Sequence, residues 1–172
     1  MTDFSNALLS LREPMTRAPK GNARAEALLT TREAIFSSSP LSNPMLAATK
    51  VTDWPDAGLL KRLGRGAQRR GNVVSPGAYC QLAFPAETAP SRVPSSVTLL
   101  GFDVTDGCDS YLLDYGDWPT PLDFPEEELN AVGLMDRQEA AEGLAERLRH
   151  AWELGPDDEP QAWALYRVAT PT

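Results

Sequence analysis

The sequence predicts an α+β fold: a small mixed or mostly antiparallel sheet, with a long C-terminal helix on one face and N-terminal helices packed on the sheet's other face. Three features carry that expectation. Short apolar runs at 78–84, 97–104, 111–116 and 162–168 have the length and β-branched or aromatic content of strands. Residues 137–154 repeat apolar side chains at helical spacing. Ten of the thirteen Phe, Trp and Tyr residues lie after residue 75, so core-building material is concentrated in the second half. The expected organisation is a helical extension over 1–45, packed on a single α+β domain over 46–172. At 172 residues one domain is the natural count, and such a chain buries about 70% of its unfolded surface.

The elements follow in order. Phe4 to about Arg12 reads as a short helix capped by Ser5 and ended by Pro14. Residues 14–22 carry two prolines and a glycine and read as a linker. Asn22 then caps a helix in which Ala25, Leu28, Leu29, Ile35 and Phe36 form an apolar stripe. SSSPLSNP (37–44) ends it, and 54–63 is a third short helix with Asp56 as its cap. AYCQLAF is a strand closed by Pro85, and the prolines at 85, 90 and 94 make a loop. Leu100, Phe102 and Val104 alternate along the next strand; Tyr111, Leu113 and Tyr115 alternate along another. The TDGCDS between them predicts a hairpin turn. Three glutamates follow Pro125 at a helix start. Asp136 and Glu139 resemble a capping box ahead of the long helix, and Gly155-Pro156 ends it. WALYRV (163–168) returns to the sheet.

The rare residues bound the chemistry. One histidine and two cysteines, Cys80 and Cys108 lying 28 positions apart, do not make a zinc site. Both cysteines are expected as plain thiols. His150 points away from the stripe of Ala141, Leu144, Ala145, Leu148 and Trp152, and is expected in solvent near a helix C-terminus rather than as a catalytic base. No metal, cofactor or catalytic residue is assigned, and the balance leans away from an enzyme. No apolar run approaches the ~20 residues of a spanning helix, and MTDFSNALLSLREP lacks the pattern of a signal peptide, so the expected location is the cytoplasm.

Charge is divided along the chain. Residues 1–75 carry a net +5 and residues 76–172 a net −13, against −8 overall. The acidic half places Asp106 and Asp109 at a hairpin tip and Asp117 beside Trp118 after the second strand. Carboxylates around an amphipathic aromatic suit a basic protein surface, so these four are the candidate partner-binding residues. Asp103 and Asp114 face one another if the hairpin is regular. The spacing of these aspartates fails the pattern of a calcium-binding loop. KRLGRGAQRRGN forms a candidate basic patch through Arg62, Arg65, Arg69 and Arg70. It lacks the Gly-Lys-Ser/Thr of a phosphate-binding loop. The expected role is charge balance against the chain's own acidic half, because a net charge of −8 opposes nucleic-acid binding.

LLGFDVTD (99–106), the Tyr-Leu-Leu-Asp-Tyr run (111–115), LNAVGLMD (129–136) and the closing WALYRV together resemble small uncharacterised bacterial proteins, some of them candidate immunity proteins of polymorphic toxin systems. The resemblance spans 97–168 and implies a cytoplasmic protein that works by binding another protein. The leading expectation is therefore a non-enzymatic interaction protein that offers an acidic surface to a basic partner. The alternatives are a small-molecule-binding or metal-independent enzyme domain, and nucleic-acid contact through 61–70.

Overall fold

Strands buried on both faces are interior strands, and Tyr79–Pro85 is buried at every position. In the computed structural model, which describes residues 2–12, 49–69, 79–105, 111–112, 129–152 and 160–169, five strands form one antiparallel sheet. They are β1 (Leu8–Arg12), β2 (Thr49–Lys50), β3 (Tyr79–Pro85), β4 (Val97–Thr105) and β5 (Gln161–Val168), in the order β2-β1-β3-β5-β4. A 3-10 turn, Ala86–Thr88, follows β3. Helix α1 spans Ala57–Arg69 and α2 spans Gln138–Trp152.

β5 inserts between β3 and β4, so these two strands, consecutive in sequence, are not neighbours in the sheet. Pairing is antiparallel throughout, with Leu82 opposite Tyr166, Leu9 opposite Leu82, and Phe102 opposite Ala164. One face gathers Leu9, Leu11, Cys80, Leu82, Phe84, Ala164, Tyr166 and Val168 into the main core with Ala141, Leu144, Ala145 and Leu148 of α2. These four α2 residues recur every three or four positions, the spacing of one helical stripe. Phe4, Trp54, Phe84 and Tyr166 stack edge-on and tilted across this core, with ring centroids 5.3–6.2 Å apart. The smaller cluster of Leu8, Ala83, Leu134 and Leu165 covers part of the other face.

Several expectations change here. Residues 8–12 form a strand where a helix from Phe4 to Arg12 was expected. LLSLR is a short apolar run without a distinguishing period, and hydrogen bonding by β2 and β3 on its two sides decides its state. Ser5 caps no helix; its N–H donates to Asp3 Oδ1 at 2.9 Å. α1 does start at the expected cap, Leu59 N–H donating to Asp56 Oδ1 at 2.6 Å, but it runs on to Arg69. Its leucines join the same core as α2, through Leu60 with Leu59 and Leu63, and not a core on the opposite face. The expected helix over 23–36 and its flanking linkers lie outside the described residues.

The register of β4 shifts between Leu99 and Gly101. Leu100 consequently packs against the small cluster while Phe102 and Val104 stay in the main core, so the three do not share a face. Gly101 has φ +143°, and a Cβ there would sit 2.7 Å from Leu134 Cβ and 2.8 Å from Met135 O. On its outer side β4 meets Met135: Phe102 N–H donates to Met135 O at 2.8 Å and Met135 N–H to Phe102 O at 2.9 Å. Tyr111 and Leu112 form a buried turn, with Tyr111 N–H donating to Val104 O at 2.8 Å. The remainder of the expected 111–116 strand is outside the described residues. Asp103 faces Trp163 across the β4–β5 ladder.

The 129–135 loop is held by one side chain. Asn130 Oδ1 accepts from the N–H groups of Val132 and Leu134, while its Nδ2 donates to Leu100 O and Asp136 Oδ1, all at 2.9–3.1 Å. Asp136 is thereby tied to the loop. The first helical bond of α2 runs from Ala141 N–H to Arg137 O, which puts Arg137 at the N-cap where Asp136 was expected.

Candidate functional site

The buried stripe of α2 fixes what its other sides present. With Ala141, Leu144, Ala145 and Leu148 inward, Glu142, Glu146, Arg149 and His150 point outward. Small side chains at Ala145 on α2, Ala86 in the 3-10 turn and Ala162 on β5 leave a depression where these three elements meet. It is an open cleft of about 420 Å³. Glu87, Glu142 and Glu146 line it, with Arg149 as the one cation. Gln138 Nε2 donates to Glu142 Oε1 at 2.8 Å, and His150 Nε2 lies 3.9 Å from Glu146. The cleft thus offers three carboxylates from two elements, over alanines that are themselves almost fully buried. Carboxylates so placed suit the cationic head of a lysine or arginine.

The sequence-selected acidic residues Asp106, Asp109, Asp117 and Trp118 lie outside the described residues, as do Asp114 and Cys108. Glu87, Glu142 and Glu146 were not singled out by sequence reasoning. Acidic residues are abundant throughout the second half, and only the packing of α2 over β5 converts these three into neighbours. The i,i+4 spacing of Glu142 and Glu146 was a visible signal, but Glu87 comes from 55 positions earlier in the chain.

Arg62, Arg65 and Arg69 are exposed on α1 together with Lys61, while Arg70 is outside the described residues. Most of the acidic residues against which charge balance was expected, among them Asp106, Asp109, Asp114 and Asp117, lie outside the described residues. His150 is 82% exposed, as its position opposite the apolar stripe dictates.

Cys80 is buried on the helix-covered face, and burial pushes its thiol up to about 11, which removes it as a nucleophile at neutral pH. Among the described residues no three His, Cys, Asp or Glu side chains gather as metal ligands, and no helix is long and apolar enough to cross a membrane. The opposite face holds the buried polar side chains Ser10, Gln81 and Asp103. Ser10 and Arg167 flank Gln81 across the ladders, and the Arg167 guanidinium stands 5.1 Å over the Tyr79 ring. Comparison of the chain with protein-family models, curated proteins and solved structures finds no match.

Proposed function

We propose that the chain is a cytoplasmic, immunity-like interaction protein that captures a basic segment of another protein in the acidic cleft between α2, β5 and the 3-10 turn. The observation that supports this reading is the convergence of Glu87, Glu142 and Glu146 around a small-residue floor. Carboxylates on a water-exposed rim speed encounter with a cationic partner and fix its orientation. At low ionic strength the net charge of −8 adds a longer-range attraction for such a partner.

The test uses an octalysine peptide titrated into isotopically labelled protein. Backbone amide shifts should concentrate at 85–87, 142–149 and 161–162, and binding should weaken as salt rises. Reversing Glu87, Glu142 and Glu146 to lysine should weaken binding by about tenfold or more while thermal unfolding stays cooperative. Shifts that map to 106–118 instead, or equal binding by the reversed variant, would remove the cleft from this role.

A further inference from the structure

The exposed side of α1 is cationic without interruption. Taking 3.6 residues per turn, Lys61, Arg62, Arg65 and Arg69 fall within an arc of about 100°, and eight residues of rise spread them over about 12 Å. Leu59, Leu60 and Leu63 occupy the opposite side and are committed to the main core. α1 contains no acidic residue, and its cap carboxylate, Asp56, is engaged by Leu59 N–H. Among the described residues, none of the four cations has a carboxylate within ion-pair distance.

We infer that this stripe is a contact surface for the phosphate backbone of a nucleic acid, bound without sequence preference. Chemistry and shape favour that occupant over the others. A protein interface draws its affinity from buried aromatic and apolar anchors inside a polar rim. The exposed large apolar side chains among the described residues are Val93 and Leu99, and neither is on α1. A surface of guanidinium and ammonium groups alone matches a ligand held by phosphates, and arginine's planar fork pairs with phosphate in bidentate fashion. A membrane surface would require an apolar helix side free to insert, and the leucines of α1 are already spent on the core. The net charge of −8 repels polyanions at long range, but charges beyond about 8 Å are screened at physiological salt, so contact is decided by the local stripe. This surface is distinct from the acidic cleft, and either assignment stands if the other fails.

Fluorescence anisotropy with a labelled 20-nucleotide RNA and a 20-base-pair duplex of mixed sequence provides the test. Both should bind with Kd on the order of 10⁻⁴–10⁻⁶ M near physiological salt. Four cations predict a slope of log K against log salt of about −3 for the single strand and about −3.6 for the duplex, so affinity falls about 50- to 150-fold between 50 and 200 mM KCl. Changing Lys61, Arg62, Arg65 and Arg69 together to glutamine should abolish binding, with the helical circular dichroism retained because glutamine suits helices nearly as well. Arg65→Gln alone should reduce the slope by about one, and replacing the three arginines with lysine should preserve it. Absence of binding at 50 mM KCl would overturn the inference, and so would equal binding by Arg65→Gln and the quadruple variant. Tighter binding of a polyglutamate peptide than of the RNA would overturn it in favour of an acidic protein ligand.

Discussion

On the face that α2 covers, Leu9, Leu82, Phe84 and Tyr166 meet Leu144 and Leu148, and every member of the row is apolar or aromatic. On the opposite face, Leu8, Ala83 and Leu165 meet Leu134, but the next row across the same strands is Ser10, Gln81 and Arg167. Gln81 is only 1% exposed, and neither atom of its amide has a hydrogen-bond partner. The first face therefore contributes most of the stability, since apolar burial is worth about 25 cal/mol per Å². A buried amide without partners instead costs about 1–3 kcal/mol. The mixed face contributes register. A slip of β3 by one residue would drive Gln81 in among Tyr166 and Leu144 and carry Leu82 and Phe84 to the other side, so the polar row penalises such a misalignment.

The comparison is broken most severely by Phe84→Ala. It removes a ring that touches Phe4, Trp54 and Tyr166, and urea unfolding should show a loss of about 3–5 kcal/mol. A loss below 1.5 kcal/mol would mean that the helix-covered face does not dominate. Gly101→Ala tests the geometric rather than the apolar content of the second face. The new methyl would strike Leu134 Cβ and Met135 O in a conformation that side chains rarely adopt, so a loss of about 2–4 kcal/mol is expected. Unchanged stability there would show that the β4 kink relaxes at no cost. The smallest effect belongs to Gln81→Met, which keeps the volume and removes the orphan amide. Its thermal midpoint should stay level or rise, by about 1 kcal/mol of stability at most. A fall of more than 1 kcal/mol would show that the amide is hydrogen-bonded after all, and the contrast between the faces would narrow.

Local chemistry alone identified β3, β4 and β5 to within one residue at most ends, because their β-branched and aromatic runs are bounded by proline and glycine. It also identified the Asp56 cap, the inward stripe of α2 and the outward His150, each of which follows from spacing within a single helix. What could not be read depends on partners remote in sequence. Leu8–Arg12 is a strand because β2 and β3 pair with it, and five residues carry too little periodicity to say so beforehand. Leu100 changes faces because Leu134, Met135 and Asn130 crowd Gly101 from about 30 positions away. The insertion of β5 between β3 and β4 joins strands remote in sequence, and α2 then lies over β5 next to the 3-10 turn. Sequence determined the charge of Glu87, Glu142 and Glu146 and of the α1 cations. Tertiary structure alone decided that the first set converges on a cleft while the second stands unpaired among the described residues. Charge is a property of each residue, whereas proximity of charges is set by which apolar faces find one another.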